Sequence, residues 1–524
     1  MRATALRLLL VVSVSCLPVA LTAQAPALET IQGLGSIAFP VASRSSAADT
    51  QFVRGVLLLH LFEYDEAAAA FRDAERIDPA MAMAYWGEAM TYTHPVWDEQ
   101  DIPAARAALA KLAPTASARE AMAGTPRERG YLHAVDILYG DGPKARRDTL
   151  YAQAMGALLA ANPHDDEARA FYALSLMGLS QGVRNVPTYL HAAAIAESVY
   201  ARNPQHPGAA HYWIHALDDP DHAAAALPAA RALSKIAPDA DHAQHMTSHI
   251  FMALGMWADV VRANEHAMHV VDATLVARGR RPTFCGHYNF WLEYGYLELS
   301  RVDDARALMQ RCQRQGEAAR KAAGAGQYDP DDSPLASAVT MWSRYVLDTQ
   351  DWSGTVAQWM PSLAGAPAPH VTWEFTRGFA AAKRGDTATA RIALTAFKHD
   401  RSQLSRAIAA EQEPDPNDAE YLKRLGVLNL ELQAVMQVGR PRADTAAALA
   451  LLQRATALED SMAYAFGPPD VDKPSHELYG EVLLAMKHFT EAEHEFQMAL
   501  RRTPGRALAL RGLASTQAAM RARR

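Results

Sequence analysis

The chemistry of this chain recurs at intervals of 34 residues. His245 follows His211 by 34 positions, and His249 follows His215 by the same step. Pro204 and Pro238 share the interval, as do Ala192, Ala226 and Val260. A period of this length fits one pair of antiparallel helices, which buries its apolar face only by stacking on neighbouring pairs. Such a chain builds a quasi-one-dimensional stack rather than one layered core. With 50% hydrophobic and 21% charged residues over 524 positions, it has the apolar surface for many such units. Alanine runs at 67–70 and 223–226 favour helix and close helix approach.

The first complete unit spans residues 52–79. Gly55, Tyr64, Glu66, Ala67, Phe71, Ala74 and Pro79 fall at spacings that resemble the tetratricopeptide repeat (TPR). Gly480, Ala492, Phe496, Ala499 and Pro504 repeat the pattern near the C-terminus, and Gly255-Met256-Trp257 marks a turn between paired helices. Small residues let paired helices approach, aromatics plug the gap to the next pair, and Pro79 ends its helix because proline cannot continue one. The resemblance covers most of residues 50–520 as roughly eight or nine units. It is strongest at both ends and over 192–271, and faint at 100–160 and 320–370. It implies an all-α fold: an α-solenoid of stacked antiparallel helix pairs in a right-handed superhelix, with irregular inserts, curled enough to close on itself. An insert at 93–98 interrupts the second unit, and 37–41 reads as a short strand or turn.

Residues 1–23 read as a secretory signal, with Arg2 and Arg7 ahead of an apolar run at 8–14 and a small-residue cleavage site at 21–23. A lead-in follows at 24–49, then an N-terminal solenoid at 50–323 with a histidine-rich centre. A Gly/Pro/Asp loop with irregular helices occupies 324–370, and a second solenoid with a cap helix occupies 371–524. Removing the signal leaves a net charge of −9 in place of −7, with no dominant basic patch. Nucleic acid is therefore excluded as a partner class. No later apolar run reaches membrane-spanning length, so a periplasmic or extracellular protein is expected. Cys285 and Cys312 survive cleavage; two buried thiols are the commoner outcome for such a pair, and a disulfide is the alternative.

The histidines carry the functional argument. Residues four apart share a helix face, so His211 and His215 point one way, and His245 and His249 another common way, with His242 one turn earlier. The tetratricopeptide resemblance assigns His211 and His245 to position 5, His215 and His249 to position 9, and His242 and His287 to position 2. In that family these positions face the concave surface. Two imidazoles reaching from each of two neighbouring helices can meet one ion, because Zn–N bonds are about 2.0 Å. Asp218, Asp219, Asp221 and His222 in the intervening turn are candidate ligands or partners of ligands. Met246, Met252 and Met256 raise copper as a side possibility, although methionine at helical spacing is usually core.

Two functions remain open on these residues. One is an exported TPR-like binding or scaffold protein, its groove of His211, His215, His242, His245, His249 and His287 holding a protein or peptide partner in the cell envelope, or a polar ligand. The other is a metal-binding protein or metalloenzyme, with zinc or copper on His211, His215, His242, His245 and His249. His60, and His94 with Trp86 and Trp97, read as packing around the insert. Glu88 and Glu293 read as solvated or salt-bridged, and Tyr288, Trp291 and Tyr294 as inter-repeat packing. No HExxH, phosphate loop or paired-cysteine zinc pattern occurs.

Overall fold

In the computed structural model of the protein, paired helices are joined by one recurring turn. Phe62, Gly255, Ser300, Gly385 and Lys487 each sit two residues past one helix and two before the next. All five have positive φ, between 58° and 78°. The following amide donates to the carbonyl five residues back: Glu63 to Leu58, Met256 to Phe251, Arg301 to Tyr296, Asp386 to Ala381 and His488 to Leu483. These bonds satisfy carbonyls that a helix end leaves orphaned. Glycine adopts such a turn freely, whereas Phe62, Ser300 and Lys487 each cost about 1 kcal/mol there. Packing of the pair, not local preference, therefore imposes the turn.

The structure describes residues 27–523 except 181–183, 284, 323–332, 412–414, 416 and 440–443. The secretory segment at 1–23, most of the loop opening the 324–370 region and part of the insert near 181–187 lie outside the described residues. Among the described residues, 23 α-helices follow one another as antiparallel neighbours. Clear pairs include Ser46–His60 with Tyr64–Ile77, Asp241–Ala253 with Trp257–Ala277, Pro367–Lys383 with Thr387–Ile408, and Ser475–Ala485 with Phe489–Arg502. The faint region is also helical, as Ile102–Leu112, Ala116–Ala121, Pro126–Leu138 and Lys144–Ala161. The chain is an all-α, TPR-like solenoid.

The glycines read from the sequence do the work expected of them. Phe71 is fully buried, and a Cβ at Gly55 or Gly87 would lie 2.7 or 2.2 Å from its ring. Phe496 stands in the same relation to Gly480 and Gly512, at 2.9 and 2.3 Å. One aromatic ring thus occupies the space vacated by glycines of two successive units.

Two short antiparallel hairpins interrupt the helices, Glu29–Ile31 with Gly35–Ile37 and Thr93–His94 with Glu99–Gln100. The strand expected at 37–41 lies earlier. Buried Leu34 and Ile37, and a bond from the Ser36 amide to the Gln205 carbonyl, dock the first hairpin at the junction of the helices Val186–Arg202 and Pro207–Ala216. Cys285 and Cys312 form a disulfide with Cα atoms 4.6 Å apart, in place of the two thiols expected as the commoner outcome. The segment before the helix His287–Glu298 and the middle of its antiparallel neighbour Val302–Ala322 bring them together.

The stack folds back on itself twice. The end of Ser46–His60 packs on Pro207–Ala216, where a Cβ at Gly208 would lie 2.4 Å from the His60 ring. Near the C-terminus, the fully buried Arg506 donates to Glu298 (2.7 Å), Asp348 (2.9 Å) and Glu477 (3.0 Å), while Trp257 Nε1 donates to the Gly505 carbonyl (2.8 Å). Gly87→Ala, which drives a methyl into the Phe71 ring, is expected to cost about 1–3 kcal/mol. Ser300→Gly should stabilise by up to about 1 kcal/mol. Urea unfolding of both variants checks the two signs.

Candidate metal centre

Three helices and one turn supply the site. Pro207–Ala216 carries His211 and His215, Asp241–Ala253 carries His242, His245 and His249, and His287 opens His287–Glu298. Glu63, in the first inter-helix turn, accepts the His242 amide (3.2 Å) and so fixes the start of the second helix. All six sequence-derived histidines come together. His211, His215, His245 and His249 are at most 6% exposed, His242 is half-buried and His287 reaches solvent.

They fall into two sets of three. In each of His211, His215, His242 and His245, His249, His287, one nitrogen per residue lies within 4.8 Å of the other two. In the second set, Nε2 of His245 lies 3.2 Å from Nε2 of His249 and 3.0 Å from Nε2 of His287. The edge of a tetrahedron of nitrogens around zinc is about 3.3 Å, from Zn–N bonds of about 2.0–2.1 Å.

The other ring nitrogens show which edge of each imidazole is bare. His249 Nδ1 donates to Asp218 (2.6 Å), His245 Nδ1 to the Asn264 carbonyl oxygen (2.7 Å) and His211 Nδ1 to the His60 backbone carbonyl (2.7 Å). Each acceptor holds the proton on Nδ1 and leaves Nε2 with a lone pair aimed at its neighbours. Metal-binding histidines are oriented in this way, by a carboxylate or carbonyl behind the ring. In the first set, Nε2 of His211, His215 and His242 is buried with no hydrogen-bond partner.

Burial favours the neutral form of His211, His215, His242, His245 and His287. It lowers His211 to about 3 against the pull of the His60 carbonyl, with His249 and His60 adding to the depression. Burial, then the neighbouring histidines, take His215, His242 and His245 well below the usual imidazole range, and His287 falls to about 4. In the first set protons therefore do not fill the space between the lone pairs. Phe62 walls the first set, its ring centroid 4.4 Å from His211 and 5.6 Å from His215 and His242. Trp291 walls the second, 4.3 Å from His249 and 4.7 Å from His245. Trp291 and Tyr294 thus pack between repeats, as expected, and buried Met246 and Met252 belong to the core. A cavity beside His249 is bounded by Asp218, Met252, Tyr464, Asp470 and Arg502.

His60 plays a part its sequence position did not disclose. Its Nε2 donates to Glu167 (2.7 Å) and its Nδ1 accepts from Tyr212 (2.8 Å). His206, whose Nδ1 accepts the Ala209 amide (3.1 Å), faces the other Glu167 oxygen at 3.2 Å. Burial pushes the Glu167 carboxyl up, but His206 and His60 outweigh it and hold it below the usual carboxylate range. One nitrogen each of His60 and His206 and one oxygen of Glu167 also lie within 4.8 Å of one another. The partners named here occupy both nitrogens of His60 and Nδ1 of His206, so the trio reads as a supporting ion network behind His211. Glu167, His206 and Asn264 escaped the sequence reading because none lies at a repeat-aligned histidine position. Glu88 is salt-bridged to Arg72 and Lys111, as expected, whereas Glu293 is buried with both oxygens unbonded. Asp219 pairs with Arg184 and His222, and His94 stacks on Tyr64.

Paired helices, positive-φ turns and glycine–phenylalanine packing define a TPR-like helical-repeat protein with six clustered imidazoles. No protein-family model matches the chain, and no curated protein does. Among solved structures it is similar to yeast Tom70, at 10% identity over 92% of this chain and 90% of that one, with a TM-score of 0.32. It is also similar to the P58(IPK) TPR domain (11% identity, 91% and 99% covered, TM-score 0.21). A third is the APC/C hetero-tetramer Cut9–Hcn1 (13%, 90% and 94%, 0.28).

A neutral buried histidine makes the unfolded chain the better proton acceptor below its ordinary value of 6.5. The contribution of His211 is complete above pH 6.5 and is lost as the pH falls toward about 3. The loss at pH 5 is about 2 kcal/mol for this residue alone. Unfolding of metal-free protein, followed by circular dichroism from about pH 7.5 to 5, should show falling stability. His211→Gln should flatten the profile.

Proposed function

We propose that this chain is an exported metal-binding protein, holding a first-row transition ion on the imidazoles of His211, His215, His242, His245, His249 and His287. One observation carries the reading. Nε2 atoms of His245, His249 and His287 converge at 3.0 and 3.2 Å, with Nδ1 of His245 and His249 committed behind the ring. An all-imidazole donor set suits zinc, copper, iron or nickel, and copper binds most tightly in the general affinity order. Zinc and copper are the leading candidates.

Burial favours an ion over a peptide as the occupant. A peptide lying in a groove would meet His287 and the edge of His242, but not the four histidines that are at most 6% exposed. Export is supported by the charged and apolar pattern of residues 1–23. The Cys285–Cys312 disulfide fits an oxidising compartment. A protein partner in the cell envelope is the second reading, favoured by the extended surface that stacked repeats provide.

Elemental analysis of untagged protein tests the first reading. Stoichiometric metal is expected, and His245→Ala/His249→Ala should hold less of it while keeping its helical spectrum. Added ion at 100 times its Kd should stabilise the metal-free chain by about 2.7 kcal/mol. Metal-free protein whose unfolding ignores both zinc and copper overturns the reading. A pull-down from envelope extract with the same variant tests the second: a partner retained without metal supports a separate scaffold role.

A further inference from the structure

The two sets of histidines are copies of one module. In the first, His211 and His215 lie four apart on one helix, and His242 comes from the second residue of the next helix in the cluster. In the second, His245 and His249 lie four apart on one helix, and His287 is the first residue of the next. Each module therefore takes two ligands from one helix and a third from the start of its successor. The helix Asp241–Ala253 serves both, giving His242 backward and His245 with His249 forward. The pairs on one helix step by the 34-residue repeat, whereas the third member steps by 45, from His242 to His287.

The copies are in contact. Across the boundary, ring centroids of His215 and His249 lie 5.9 Å apart, and those of His242 and His245 lie 6.2 Å apart. Rings within the first set are separated by 4.8 to 6.4 Å. His215 and His249 are equivalent members of the two modules, so their separation measures the step from one to the next.

Resting on the metal-binding reading, we propose that the solenoid holds two ions side by side, one per module, about 6 Å apart by the His215–His249 step. Each ion takes three imidazoles, and three protein ligands are the pattern of an open rather than a closed site. The first ion sits behind Phe62, and its ligand His211 is braced by the carbonyl of His60. The second sits behind Trp291, and its ligand His249 forms part of the cavity wall. The second ion is thus the one nearer to an incoming molecule.

The test loads metal-free, untagged full-length chain with Cu(II) alone, against excess glycine to strip weak surface copper. Two coppers per chain are expected, with an electron paramagnetic resonance signal broadened by the neighbouring spin. His211→Gln/His215→Gln and His245→Gln/His249→Gln should each hold one copper and give a sharp signal. His287→Gln, at an exposed helix start that tolerates change, should weaken one copper and spare the other. One copper in the wild type, lost in either double variant, overturns the pair and leaves the metal reading standing. Two coppers with no mutual broadening overturn the side-by-side placement. No copper in any form defeats both readings together.

Discussion

Glu167 is a fully buried carboxylate, and the interior can hold it only because two imidazoles from elsewhere in the chain meet its two oxygens. An unpaired charge in such a place costs several kcal/mol. The ion network therefore forms only when the end of Ser46–His60 reaches the start of Pro207–Ala216, more than a hundred residues away in sequence. Closure of the N-terminal half and burial of this charge are one event. The same event builds the candidate site, since the His60 carbonyl orients His211 and Phe62, two residues on, covers it.

That dependence explains why the solenoid accepts a costly turn at Phe62. A bulky residue at φ 61° is disfavoured, yet its repeat counterparts at Gly255 and Gly385 use glycine. At Phe62 the ring closes over three bare nitrogens, so the turn residue serves the cluster. Those nitrogens carry their own penalty, about 1–3 kcal/mol for each buried polar atom left without a partner. The fold thus spends stability at His211, His215 and His242 in one place, and an ion is the occupant that would return it. Orientation by Asp218, Asn264 and the His60 carbonyl makes the arrangement rigid before any ion arrives.

Much of this was legible in the chain. The 34-residue steps gave the helix pairs, Gly55 with Phe71 and Gly480 with Phe496 gave their packing, and the aligned histidines gave one cluster. These are signals within a repeat or between adjacent repeats, where sequence distance and spatial distance agree. The rest depends on curvature, which local periodicity does not encode. Nothing around Glu167 or His206 announces that His60 will reach them. Asn264 lies on the second helix of its pair, opposite the face carrying the histidine pattern. Arg506 likewise meets Glu298 and Asp348 only because the C-terminal end returns to the middle of the stack.

The six histidines are not held with equal security. His211, His215, His245 and His249 sit on helices packed on both sides, so their rings are placed by the core. His287 is the first residue of its helix, where no preceding turn supports it. What fixes it is the chain just before it: Cys285, two residues earlier, is tied to Cys312 on the neighbouring helix Val302–Ala322. A covalent link there does for His287 what burial does for the others. The histidine with the weakest packing thus stands beside the disulfide, and its set of three also borders the cavity at His249. Rigidity and access are balanced within one repeat, with the trio of His211, His215 and half-buried His242 beside it.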